Sequence, residues 1–440
     1  MLLNVLMLVT PAFQGAAGEV PAAPQARAEV RNAPEREDWF MDLGLGMFIH
    51  WSVDSQLGAV ISHSLAGASD EYARRFFDEL PQTFDPTEFD PVEWARLARV
   101  AGIRYVMFTA KHHSGFCMFD TTTTPFNIMN TPYRKDIVAQ IVDAFRGQGI
   151  AVGFYFSPED FWFLHGQGKP MARKREYAYT YANPELRAHN AAQLRELFTN
   201  YGPIDLAFLD SFYNKDAVED IWTVDPNVTI TRGVMATPEQ TTPDEPMPGP
   251  WEACYTLGTQ WQFKPTNEQY KSGTELIEML IEIRAKGGNF LLNVGPEPSG
   301  RIPFEQERRI RELGLWMFVN RDAIYQVRPW HVIREGDIWF TKAKDADTLY
   351  AILAKQAPWK RGERREFDLK SVRATADTMI DVLGHGGELV EYQPQTDAEP
   401  RFQQRDDGLH LSVVRAQRLY NDHNWPNPVV VRLRHVVPAP

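Results

Sequence analysis

The chain has 440 residues, 43% of them hydrophobic, and a formal net charge of −12. That length supplies core material for one large domain and a smaller one. The acidic balance excludes nucleic acid as the main partner, since phosphates repel it without a local basic stripe. The densest basic run, Arg173-Lys174-Arg175 beside Lys169, is short and reads as a solvated loop. Two cysteines, Cys117 and Cys254, cannot build a disulfide framework and read as small buried apolar groups.

In chain order, the opening "MLLNVLMLVTPAFQGAAG" is an apolar run followed by Ala-rich sequence with "ARA" at Ala26 to Ala28. This is the pattern of a secretory signal, although a basic start is lacking, and it predicts a leader over residues 1–30 and a secreted or periplasmic protein. The run is too short to span a membrane, and nothing later approaches a span.

From about residue 31 to 332, apolar strand-like runs alternate with amphipathic helices. The strands are Leu45–His50, Tyr105–Ala110, Ala151–Ser157, Ile204–Asp210, Val228–Thr231 and Asn289–Gly295. Continuous apolar runs of this length suit strands buried on both faces of a parallel sheet. Asp90-Pro91 followed by Glu93 predicts a helix start with an N-cap and a capping-box acid. Trp94, Leu97, Ala98 and Ala101 then supply the buried stripe before Gly102 ends it. Ile137, Ile141, Ala144 and Phe145 repeat the pattern, as do Leu194, Leu197, Phe198 and Tyr201, and "SGTELIEMLIEIRAKGG" carries a further helix. The alternation predicts an α/β fold, a (β/α)8-like TIM barrel, over an open doubly wound sheet, because no G-x-G-x-x-G follows the first strand. Residues 333–440 change texture to short runs between polar turns, which predicts an antiparallel β-sandwich.

The strand ends decide for the barrel. His50, Lys111-His112-His113, Ser157 and Asp210 all fall at carboxyl ends, where a barrel gathers its active site. Adjacent strand residues point to opposite faces, so His112 and His113 are expected not to chelate one metal ion. They read as hydrogen-bonding groups of a hydroxyl-rich pocket, with two satisfied structural histidines as the plain alternative. Asp210 ends an apolar strand with a lone carboxylate, which is costly to bury without a purpose. A helix cap is its structural reading and a catalytic carboxylate its functional one. Cleaving a glycoside takes two carboxyl groups, and Glu252 beside Trp251 is the second candidate, because an acid against an apolar ring keeps its proton. Glu239 and Glu71 compete with it.

The segments "GLGMFIHWS", "GIRYVMFTAKHHSGF", "GIAVGFYFS", "IDLAFLD", "TPEQ", "WEACYTLGTQW" and "GGNFLLNVGPEPSGRI" occur in the order found in glycoside hydrolase family 29. The chain resembles these retaining α-L-fucosidases over roughly residues 35–332, and its last part resembles their C-terminal domain. The resemblance implies an exo-enzyme that removes terminal α-L-fucose from a fucosylated oligosaccharide or glycoconjugate through a covalent fucosyl-enzyme, without metal or cofactor. Asp210 would be the nucleophile and Glu252 the acid/base. His50, His112, His113, Tyr155 and Arg232 would bind the sugar. If Glu252 lay on a separate surface from Asp210, this account would fail. The chain departs from the family at Ser52, Ser114 and Ser211, where Gly or Asp is usual. It also lacks the family's Glu-Trp-Tyr; "GASDEYARRF" lies there, with Asp70 or Glu71 as replacement acids. A glycosidase for another L-sugar of the L-galactose type, a non-catalytic carbohydrate-binding barrel and a metal-dependent hydrolase are the rival readings.

Overall fold

A computed structural model describes residues 30–356, 358–389, 393–416 and 427–439. The expected leader lies, but for its last residue, outside the described residues. Among those residues no helix is long and apolar enough to cross a membrane.

Seven parallel strands form the larger sheet: β1 (Leu45–Ile49), β2 (Tyr105–Lys111), β3 (Ala151–Phe156), β4 (Leu206–Leu209), β5 (Thr229–Ile230), β6 (Glu252–Thr256) and β7 (Asn289–Val294). Their order is β5-β4-β3-β2-β1-β7-β6. Nearly every strand residue is buried on both faces, as continuous apolar runs require when helices cover one side and a packed interior fills the other. Between β5 and β6 the segment 232–240 makes isolated parallel bridges, Arg232 to Met235, Ala236 to Trp251 and Glu239 to Cys254. Six of these strands coincide with the expected apolar runs, and β6 is the one the sequence does not announce.

Among the described residues nine α-helices punctuate the strands: α1 (Pro34–Leu43), α2 (Asp70–Asp78), α3 (Pro91–Val100), α4 (Ile137–Gly147), α5 (Phe161–Gly166), α6 (Pro184–Thr199), α7 (Lys215–Val224), α8 (Gly273–Ala285) and α9 (Phe304–Asn320). Asp90 caps α3 by accepting the Val92 and Glu93 amides, both at 3.0 Å. Glu93 turns to Arg96, so the reciprocal half of that expected capping box is not used. The full box occurs at α8, where Ser272 and Glu275 satisfy each other's backbone amides.

The antiparallel strands begin at Val327. β8 (Val327–Glu335), β9 (Ile338–Ala343), β10 (Thr348–Leu353), β12 (Val372–Val382) and β15 (Val429–Pro438) form one sheet, ordered β12-β15-β10-β9-β8. β11 (Arg364–Leu369), β13 (Arg401–Arg405) and β14 (Gly408–Val414) form a second. Phe340, Leu349 and Val431 of the first share one buried cluster with Leu369, Leu411 and Val413 of the second. All the parallel strands point the same way, so His50, His112, Ser157 and Asp210 emerge at one end of the large sheet.

Candidate active site

The chain reverses sharply after β2. Gly115 has φ +88°, and a Cβ there would stand 2.2 Å from Asp160 Oδ1, so only glycine lets the turn close. Asp160 is fully buried and meets Lys111 Nζ at 3.1 Å. This pair anchors the turn from beneath and leaves Lys111 outside the pocket. Because β2 ends at Lys111, His112 and His113 lie on the turn and not on a strand. The alternation expected to separate them does not apply.

Asp210, immediately after β4, is the centre of the site. Its Oδ2 accepts the Tyr155 hydroxyl at 2.7 Å and lies 3.2 Å from His113 Nε2 and 3.7 Å from Arg173. Its Oδ1 accepts Arg232 Nη1 at 3.2 Å. Burial by itself would raise the carboxyl. The His113 contact and the charges of Arg232 and Arg173 outweigh it and hold Asp210 well below the usual carboxylate range.

Arg232 is fixed by Thr237, which accepts from Nε at 2.9 Å and, through its carbonyl, from Nη2 at 3.2 Å. Its Nη1 also reaches Glu239 Oε2 at 2.9 Å. Asp210 Oδ1 and Glu239 Oε2 therefore hang on a single nitrogen. They are separated by no more than the sum of those two lengths, about 6.1 Å.

The imidazoles face the pocket with opposite polarity. His50 Nδ1 lies 2.7 Å from Asn293 Oδ1, and the Asn293 amide nitrogen donates to the Trp261 carbonyl at 2.6 Å. Nδ1 of His50 must then carry the proton, leaving Nε2 as an acceptor. His112 Nδ1 accepts the His113 amide at 2.9 Å, so its Nε2 is a donor. Burial lowers both rings, His50 to about 3, which keeps them neutral. His112 stacks on Tyr155 with centroids 4.9 Å apart, and Trp261 lies 4.9 Å from His50.

Glu252 is elsewhere. It opens β6, opposite Asn289, the first residue of β7, and accepts the hydroxyl of Tyr105, the first residue of β2, at 2.8 Å. Those are the amino ends of the strands. Glu252 shares a strand face with Cys254, which lines the pocket, and so sits roughly 6–7 Å below that layer at about 3.3 Å per residue. It is fully buried, and burial pushes it up to about 7. Glu252 is thus not among the residues lining the pocket, contrary to expectation, and Glu239, the competitor weighed from sequence, lines it with Asp210. Asp70 and Glu71 are exposed on α2, with Glu71 paired to Arg75, and neither lines the pocket. Ser62 does instead.

His50, His112, Tyr155 and Arg232 line the pocket, whereas His113 is buried behind Asp210. Arg173, expected in a solvated loop, reaches in over Asp210 with a side chain only 21% exposed. No sequence signal separates it from its neighbours Lys174 and Arg175. Trp261 stands in the motif "TLGTQW" and was available to a reader asking which ring floors the pocket. Ligand atoms of His112, His113 and Asp210 come within 4.8 Å of one another, a spacing a metal could use. Two guanidinium groups already face that carboxylate, and their charge opposes a cation there. A roomier cleft of about 660 Å³ lies beside Arg104, Tyr325 and Lys344, and none of the residues at the carboxyl ends of the parallel strands lines it.

A family model described as "Alpha-L-fucosidase" matches residues 16–322, more than two thirds of the chain. The chain belongs to the alpha-L-fucosidase family. It is accordingly a glycoside hydrolase of that family. The tissue alpha-L-fucosidase of Rattus norvegicus is 29% identical over 388 residues, covering 80% of this chain and 82% of its own. The alpha-L-fucosidase isoenzyme 1 of Paenibacillus thiaminolyticus is 27% identical, with a TM-score of 0.71 and coverage of 91% of this chain and 98% of its own. A family 29 alpha-L-fucosidase from Bacteroides thetaiotaomicron, solved as a trapped covalent intermediate with 2-fluoro-fucosyl fluoride, shares the fold at 22% identity. Its TM-score is 0.72, with 95% of this chain and all of that chain covered.

Proposed function

We propose that this alpha-L-fucosidase is a retaining exo-enzyme in which Asp210 is the nucleophile and Glu239 the acid/base. The observation that carries the reading is the single Arg232 nitrogen lying 3.2 Å from Asp210 and 2.9 Å from Glu239. Oxygens of the two groups within about 6.1 Å of each other support the close carboxyl spacing, ~5–5.5 Å, of retaining enzymes over the ~6.5–9.5 Å of inverting ones.

In the first step an Asp210 oxygen bonds to the anomeric carbon, the glycosidic bond breaks, and Glu239 gives its proton to the departing oxygen. In the second, Glu239 takes a proton from water as that water attacks the anomeric carbon, and Asp210 leaves as carboxylate. Arg232 and Tyr155 hold the nucleophile in its ionised form. Glu239 is 44% exposed, which suits a group that must reach a leaving group on the solvent side. His50 accepts from one sugar hydroxyl and His112 donates to another, and Trp261 offers an apolar ring face. This covers terminal fucose of an oligosaccharide or glycoconjugate.

Two finer points of architecture belong to the same reading. The segment 232–240 serves as the irregular closing stave of a (β/α) barrel over residues 31–332, and it carries both Arg232 and Glu239 into the site. The two antiparallel sheets form a sandwich over residues 333–440, supported by their common apolar cluster. The apolar opening stretch supports export to a secreted or periplasmic location.

The test uses para-nitrophenyl α-L-fucoside with the product followed by NMR. Wild type is expected to release α-L-fucose first, and Asp210→Asn to lose turnover by at least about 10³-fold while keeping its folding transition. Release of the β-anomer, or near-normal turnover by the variant, overturns the assignment.

A further inference from the structure

Behind the nucleophile lies a third carboxyl group that the steps above do not use. Glu159, between β3 and α5, is fully buried. Its Oε1 accepts the hydroxyl of Ser211 at 2.9 Å, and its Oε2 has no hydrogen-bond partner among the described residues. Ser211 directly follows Asp210, so this bond ties the loop after β3 to the loop that carries the nucleophile. The free Oε2 lies 4.0 Å from His113 Nδ1. On the other side of the same ring, Nε2 lies 3.2 Å from Asp210 Oδ2.

His113 therefore stands between two carboxyl groups, and where its one proton resides decides what Asp210 meets. With the proton on Nε2 the ring turns an N–H toward Oδ2 at 3.2 Å, an electrostatic contact outside hydrogen-bond geometry, and Nδ1 accepts from the Ser157 hydroxyl beside it. With the proton on Nδ1 a nitrogen lone pair opposes the carboxylate, and the nucleophile loses a partner. A neutral Glu159 leaves the first arrangement undisturbed while its bond from Ser211 steadies the loop that carries Asp210, whereas an ionised one attracts the proton to Nδ1.

We propose that Glu159 is a positioning residue for the nucleophile, acting through His113 to keep the imidazole proton on the nitrogen that faces Asp210. The inference rests on the assignment of Asp210 made above. Burial pushes Glu159 up to about 8, so it is neutral through neutral pH. The groups facing it from surrounding elements are His113 after β2, Asp210 and Ser211 after β4, and Arg173 and Tyr179 from the stretch between α5 and α6. Asp210 opposes its ionisation, while Arg173 and the Ser211 hydroxyl favour it.

The experiment is the pH profile of kcat/KM on 2,4-dinitrophenyl α-L-fucoside, whose leaving group departs without protonation, so that Glu239 does not titrate into the measured step. Wild type is expected to fall by about tenfold per pH unit above pH ~8. Glu159→Ala is expected to lose about tenfold at pH 7 and to show no alkaline fall; Glu159→Gln, neutral at every pH, recovers most of that loss and also stays flat. Ser211→Ala removes a bond that favours the carboxylate, so its alkaline fall moves to higher pH. A Glu159→Gln profile that falls at the wild-type pH overturns the proposal, as does a Ser211→Ala profile that does not move. A wild type inactive on this substrate, or an active Asp210→Asn, overturns the parent assignment instead.

Discussion

Replacing Glu239 by Ala separates proton donation from nucleophilic attack. Arg232 remains tied to Asp210 and twice to Thr237, so the change removes one carboxyl group without releasing the guanidinium. A positioned general acid contributes about 10²–10⁴-fold, or roughly 3–5 kcal/mol of barrier. On an alkyl fucoside or a fucosylated disaccharide, kcat/KM is expected to fall by that full factor. On the dinitrophenyl fucoside it falls by less than about tenfold, and kcat drops because the second step lacks its base. Azide, which attacks without deprotonation, restores kcat and yields fucosyl azide. Glu252→Gln is the control: at the closed end of the sheet under Cys254, it keeps its bond from Tyr105 and is expected to change kcat/KM by less than about threefold. Stopped-assay kinetics on both substrates decide the matter. A Glu239→Ala loss that is equal for good and poor leaving groups refutes the reasoning, as does a Glu252→Gln loss of the Glu239 size.

Lys111→Met leaves the fully buried Asp160 with His189 as its nearest basic group, and breaking such a pair costs about 3–5 kcal/mol; urea unfolding measures it, and adding Asp160→Asn should recover part of the loss. Stability should also decline as pH rises from about 6.5 to 8, above the range in which the buried His50, His112 and His113 offset the trend by binding protons only when unfolded. Glu252 and Asp54 are pushed up to about 7 and Glu159 to about 8 by burial, so the folded state holds protons that the unfolded chain releases near 4.5 and 3.8. Each contributes a slope of at most about 1.4 kcal/mol per pH unit between its unfolded and folded values. At the acid end Asp210 and Asp160 act oppositely, since both are held low in the folded state and their stabilisation is lost below about pH 3.8. A denaturation series showing stability rising from about pH 6.5 to 8 contradicts this.

Much of the large sheet was legible because its strands are continuous apolar runs, which few other elements produce. The exception, β6, opens on a glutamate and passes through Cys254, Tyr255 and Thr256, so it reads as a loop. That omission had a direct consequence. Glu252, expected to face Asp210 across one pocket, is the first residue of a strand and lies roughly 6–7 Å below the layer of Cys254. Asp210 was legible because a lone carboxylate closing an apolar strand has few structural uses. His112 lines the pocket and His113 stands against Asp210, but the rule that separates neighbours on a strand does not reach them, because β2 ends at Lys111. Arg173 was not legible at all, since entering the pocket depends on the path of the stretch between α5 and α6. Glu159 was equally silent, because its partner Ser211 lies 52 positions away.

The central claim is that Asp210 forms the covalent bond to the sugar. Its most direct test is to inactivate the enzyme with 2-fluoro-fucosyl fluoride, digest it and locate the label by mass spectrometry. The added fluorofucosyl mass should fall on the peptide containing Asp210, and fragmentation should place it on that side chain. A label on Glu239, Glu252 or Glu159, or an intact protein that turns the reagent over without ever carrying the mass, contradicts the account.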